Sequence, residues 1–81
     1  MALTLHIVGP ISHSSYTITQ LGITTTEGDM TIHANHAPMI TYLAPNHEIV
    51  YTTEDGTQER MQLAGGIVHI ERATVTIIMD I

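Results

Sequence analysis

The chain has 81 residues, enough for one domain, 1–81, and a domain of this size buries only roughly 60% of its unfolded surface. It contains no cysteine, which excludes disulfides and thiolate metal sites as reinforcement. Eight acidic residues stand against two arginines, Arg60 and Arg72, with no lysine; this excludes the basic footprint of a nucleic-acid binder, disfavours anionic membrane surfaces and favours a basic protein partner.

The N-terminus, "MALTLHIVG", has neither a basic start nor a long apolar run, so it does not read as a signal peptide. No segment approaches the ~18 apolar residues of a membrane span, so membrane association is expected to go through a partner, without direct insertion. Thirteen threonines and twelve isoleucines are stiff at χ1 and favour strands. Leu3, Leu5 and Ile7 alternate with Thr4, His6 and Val8, which predicts a strand over 2–8 with one face buried. "ISHSS" at 11–15 follows as a polar turn. A nucleophilic triad would need Ser, His and Asp in mutual reach, and nothing there marks an oxyanion hole, so it reads as an ordinary loop.

A strand is expected over 15–25. Within it Ile18 and Leu21 are out of phase and Gly22 follows, which predicts a bulge that bends the strand so that it serves two sheets. "TTEGD" at 25–29 is the next turn, and "GDMTIHANHAP" at 28–38 carries a short strand, 30–33. His33 and His36 lie three apart. On a strand they face opposite sides, so they converge on a metal only if Ala34-Asn35 turns the chain. The remaining histidines, His6, His13, His47 and His69, are scattered in sequence, and surface or capping roles are expected of all six.

Further strands are expected over 38–43, 47–53, 58–63, 66–71 and 73–79, separated by "APN" at 44–46, "EDGT" at 54–57 and "AGG" at 64–66. Asp-Gly between two strand-like runs is a strong hairpin signal. Val75, Ile77 and Met79 alternate with Thr74, Thr76 and Ile78. "LAGG" lacks the lysine and helix start of a phosphate loop and reads as a turn. Glu27, Asp29, Glu54, Asp55 and Glu59 either solvate loops or serve docking. About eight to ten short strands with frequent turns predict an all-β fold, a small two-sheet β-sandwich or flattened barrel, that works by contact.

Two stretches carry a resemblance. "EGDMTIHANHAPMITYLAP" at 27–45 resembles the signature of the epsilon subunit of F-type ATP synthases, which reads Glu-Gly-Glu-Leu-Gly-Ile, a Pro-Gly turn, His-Ala-Pro, and a hydrophobic strand ending near Pro-Gly. "LAGGIVHIERATVTIIMD" at 63–80 resembles the family's Gly-Gly hairpin and last strand, and "LTLHIVGP" its first. Thr31 departs from the family's second glycine. Asn35 and Asn46 stand at turn positions where the family has glycine, and asparagine tolerates the left-handed conformation such turns need.

The resemblance implies a non-catalytic rotor component without cofactor or resident metal. It would sit in the central stalk on the gamma subunit and the c-ring, and couple ion translocation to ATP synthesis. It would be peripheral to an energy-coupling membrane, on the bacterial cytoplasmic side or its organelle equivalent. Asp29 and His36 match the acidic residue and the His-Ala-Pro histidine that meet stalk and ring, and Thr41 lies on the gamma-facing strand. The family adds a C-terminal helical hairpin carrying inhibition of ATP hydrolysis and, in some members, ATP binding. With the sequence ending at Ile81, coupling and assembly are expected without those activities. The competing functions are a free-standing sandwich module binding carbohydrate or protein, and a metal-dependent enzyme using His33 and His36. Carbohydrate sites present exposed aromatics, whereas this chain offers only Tyr16, Tyr42 and Tyr51.

Overall fold

Alternation of apolar and polar residues sets the strands. A computed structural model describes residues 2–79. They form β1 (Leu3–Val8), β2 (His13–Thr25), β3 (Gly28–His33), β4 (Met39–Leu43), β5 (His47–Thr53), β6 (Gln58–Leu63), β7 (Gly66–Ile70) and β8 (Thr74–Met79). The expected boundaries hold closely except that β2 and β3 start earlier, at His13 and Gly28. In each case the hairpin ladder runs up to the turn: His13 pairs with Val8, and Gly28 with Thr25.

The strands make two layers. In the first, the N-terminal half of β2 is followed by β1, β8, β7 and β4; β1 and β8 are parallel and the other neighbours antiparallel. In the second, β3 and β5 flank the C-terminal half of β2, and β6 lies outside β5. β2 therefore belongs to both layers. Its register against β5 slips between Ile18 and Gln20, leaving Thr19 as the extra residue. This is the predicted bulge, centred on Thr19 rather than Gly22. The extra residue lets Ile18 and Leu21 both face the core, which explains why they look out of phase in the sequence. The layers meet again where Thr25 pairs with Leu43.

The space between the layers is filled almost wholly by aliphatic side chains. Leu3, Leu5 and Ile7 of β1 meet Val75 and Ile77 of β8 and Val68 and Ile70 of β7, all buried. Leu21, Ile32 and Ile49 close the core from the second layer. Each such side chain contributes about 1.5–3 kcal/mol of transfer free energy, which lets a chain without cross-links hold its fold.

Turn chemistry follows the sequence. Asn35 and Asn46 adopt φ of 68° and 57°, the left-handed conformation expected of them. Between β5 and β6, Gly56 N–H donates to Thr53 O at 3.0 Å and Thr53 N–H to Thr57 O at 2.8 Å, with Gly56 at φ 90°. That is a three-residue hairpin loop with glycine at its left-handed position.

Candidate docking surface

The three residues expected to meet a partner do not come together. Asp29 is not in the β2–β3 loop but is the second residue of β3, where its Oδ1 accepts a hydrogen bond from Thr24 Oγ1 at 2.8 Å. His36 lies in the β3–β4 turn, which is held by Asn35 N–H donating to Arg72 O at 2.6 Å. Its own Nδ1 donates to Ala37 O at 2.6 Å. From Asp29 to His33 alone the extended strand spans about 13 Å. Thr41 is only 9% exposed. It shares the inward phase of β4 with Leu43, so its side chain lies in the interior rather than on the surface where the expectation placed it. The outward residues of that strand are Ile40 and Tyr42.

The chain does turn between His33 and His36, with His36 N–H donating to His33 O at 3.3 Å, but the two imidazoles engage different partners. His33 Nε2 lies 3.1 Å from Gln20 Oε1 and His36 faces Ala37 O. Among the described residues, no three of His, Cys, Asp and Glu gather as a metal set. The "ISHSS" segment is half turn and half strand, with His13 already on the β1–β2 ladder.

A different feature stands out on the outer face of the first layer. Register aligns Tyr42 with Ile67, Ile67 with Ile78, and Ile78 with Val8, so these four form one row across β4, β7, β8 and β1. Ile40 lies one step along β4, opposite His69 of β7. Exposure is 63% for Ile40, 58% for Tyr42, 48% for Ile78 and 40% for Ile67, high for large apolar side chains that sit together. At one end of the row a groove of about 590 Å³ opens between Tyr42, Leu43, Pro45, Ala64, Ile67 and Ile78. Gly66 allows β7 to approach β8 beneath it: a Cβ there would stand 2.5 Å from Ile78 O. Sequence reading by alternation missed this face, although the signal was present. In "MITYL", "GIVHI" and "TVTIIM" the outward phase is not wholly polar: it carries Ile40, Tyr42, Ile67 and Ile78 among His69, Thr74 and Thr76, a partial form of the pattern of strands covered on both sides.

The outer face of the second layer is its opposite. Thr24 bonds Asp29, Gln20 meets His33, and Arg60 Nη1 reaches Glu48 Oε1 at 2.7 Å. Several of its polar groups are matched within the layer. Of the three tyrosines, Tyr16 and Tyr51 pack ring on ring at 5.0 Å with Tyr51 buried, which leaves Tyr42 as the exposed aromatic. That burial, then the neighbouring Tyr16 and Glu59, raises the Tyr51 hydroxyl above its ordinary range.

Comparison with known proteins agrees with this architecture. Residues 2–81 match the model of the ATP synthase delta/epsilon chain β-sandwich domain. One similar structure is a chain of the Euglena gracilis mitochondrial ATP synthase, OSCP/F1/c-ring in rotational state 1. It has 22% identity and a TM-score of 0.88, over 96% of this chain and 50% of that one. Another is from the central stalk/c-ring of Tetrahymena thermophila mitochondrial ATP synthase, with 15% identity and a TM-score of 0.77, over 99% of this chain and 65% of that one. This chain thus spans between half and two thirds of the length of these structures, and at such identities the likeness is one of fold. No helix among the described residues is long and apolar enough to cross a membrane. The chain belongs to the ATP synthase delta/epsilon β-sandwich family.

Proposed function

We propose that this chain is a non-catalytic rotor element of an F-type ATP synthase. It links the gamma subunit of the central stalk to the c-ring, so that ion translocation drives ATP synthesis. The observation that carries the reading is the family match across residues 2–81. Both similar structures come from mitochondrial ATP synthase assemblies that include the c-ring. In this reading the chain sits peripheral to an energy-coupling membrane and reaches it through the complex.

The role is mechanical, and the geometry suits it. A rotor element must transmit torque without shearing, so it needs a stiff body and a firm seat. A two-layer sandwich stitched by a strand common to both layers supplies stiffness. The row Tyr42, Ile67, Ile78 and Val8, with Ile40 beside it, supplies the seat. It offers contiguous apolar area with an aromatic anchor, the composition of a docking hot spot. We assign it to the gamma subunit. Thr41 then acts from beneath, holding β4 in register so that Ile40 and Tyr42 face out. Asp29 is the proposed contact to a basic residue of the c-ring loops, and His36 a second contact at the far end of β3. Such exposed charge pairs fix register more than they add affinity.

Affinity capture from the native source with the tagged chain as bait tests the reading. Recovery of gamma and c subunits is expected. A folded bait that recovers no ATP synthase subunit would overturn it, leaving fold likeness alone.

A further inference from the structure

Six histidines are spread over the chain, and four are engaged separately. His33 meets Gln20, His36 meets Ala37 O, His47 meets Pro45 O, and His69 pairs with Glu71. The other two face each other. His6 Nδ1 lies 3.1 Å from His13 Nε2 and 3.0 Å from Ser15 Oγ, with the imidazole rings 5.3 Å apart and tilted by 50°.

The β1–β2 hairpin creates this meeting. Gly9 N–H donates to Ser12 O at 2.8 Å and closes the turn, which fixes Val8 opposite His13 and His6 opposite Ser15. His6 and His13 are therefore diagonal neighbours on the same outward face of an antiparallel pair, a separation that long side chains bridge. Two partners converge on one ring nitrogen of His6. A neutral imidazole nitrogen carries either one proton or one in-plane lone pair, so His6 Nδ1 can fully satisfy one of its two partners but not both. A cation at the same point would draw on the lone pairs of both nitrogens.

We propose that His6 and His13, with Ser15 behind them, form a binding site for a borderline divalent transition-metal ion of the zinc type. Zinc–nitrogen bonds of about 2.0–2.1 Å in tetrahedral geometry place two ligating nitrogens about 3.3 Å apart, so the pair needs only a small outward adjustment to chelate. Imidazole is the right donor for zinc, copper or nickel and a poor one for magnesium or calcium. The hairpin supplies the preorganisation. Water fills the remaining positions, because the site lies at the surface. An ion held there ties β1 to β2 at the end of the sandwich next to the turn. The assignment stands on these side chains alone and does not depend on the stalk role.

Calorimetric titration of the whole chain with zinc chloride, paired with amide NMR, is the test. One saturable ion per chain is expected, with the largest shifts at His6, His13 and Ser15. Either His6→Gln or His13→Gln should abolish that site, while His33→Gln and His47→Gln retain it. Zinc should raise the melting temperature of the parent chain and leave that of the His6 and His13 variants unchanged, the linkage expected of an ion that binds only the folded form. Melting without metal confirms that each variant folds. Saturable binding that survives both His6→Gln and His13→Gln, or none at millimolar zinc, would overturn the assignment.

Discussion

The two outer faces of this sandwich are built on the same plan, but a contiguous apolar row runs across one of them. Each is the outward phase of strands whose inward phase is aliphatic. On the second layer the outward residues include Gln20, Thr24, Asp29, Thr31, His33, Glu48 and Arg60 around Val50, and several bond one another. On the first layer β4, β7 and β8 present Ile40, Tyr42, Ile67 and Ile78, and the row beside them carries His69, Thr76 and His6. The core needs only the inward phase. An apolar outward phase adds little to the isolated fold and leaves greasy area in water, so its free-energy return comes on docking. The polar face keeps the other side soluble.

Substitutions can break or sharpen that contrast. The largest effect is expected from Ile67→Glu, which puts a charge at the centre of the apolar row. It should weaken gamma binding by about 2–4 kcal/mol, the size of a hot-spot loss, and leave melting nearly unchanged. Thr31→Glu on the polar face should leave binding within about 0.5 kcal/mol, and competition binding of the two variants compares the faces directly. Gly66→Ala comes next. Its Cβ would meet the Ile78 carbonyl at 2.5 Å, so β7 and β8 must separate; a loss of about 1–3 kcal/mol in chemical denaturation is expected.

Thr41→Ala should cost about 1 kcal/mol of stability, because the side chain is inside, while gamma affinity per folded molecule stays the same. Stable protein with lost binding would restore Thr41 as a contact. Arg60→Ala removes an exposed pair with Glu48 and should change stability by less than about 1 kcal/mol.

The smallest effect is local and pH-dependent. Hydrogen bonds from the Thr53 hydroxyl and Thr57 N–H hold the Asp55 carboxyl at about 2, below the ordinary value of 3.8. A depressed carboxyl stabilises the fold above its unfolded value and loses that contribution as pH falls through its folded one. The β5–β6 turn should therefore loosen as pH drops from 3.8 toward about 2, seen as shifts of the Thr53 and Thr57 amides, and Asp55→Asn should remove the transition.

Much of the fold could be read from the chain because alternation and turn chemistry are local. Leu3 to Val8 alternate strictly, and Asn35, Asn46 and Gly56 mark left-handed turns. Even the bulge showed as the slip between Ile18 and Leu21. The direction of Thr41 was written in its phase with Leu43, whereas resemblance named the strand and not its side. Asp29 and His36 look close in sequence, but an extended strand carries them apart. The meeting of His6 with His13 depends on hairpin register, which the length of the Gly9–Ser12 turn fixes and composition does not reveal. The apolar residues on the outward phases of β4, β7 and β8 are a local signal, but lining them up in one row needs the order of β1, β8, β7 and β4 across a parallel crossover, which is a long-range fact.

The proposed seat of the stalk is the apolar face. Methyl NMR of the isoleucine- and valine-labelled chain, titrated with the gamma subunit of the same source, tests it most directly. The methyls of Ile40, Ile67 and Ile78 are expected to shift or broaden first, while those of Val50, on the outer face of the second layer, stay in place. Perturbation of Val50 with Ile67 and Ile78 unmoved would contradict it.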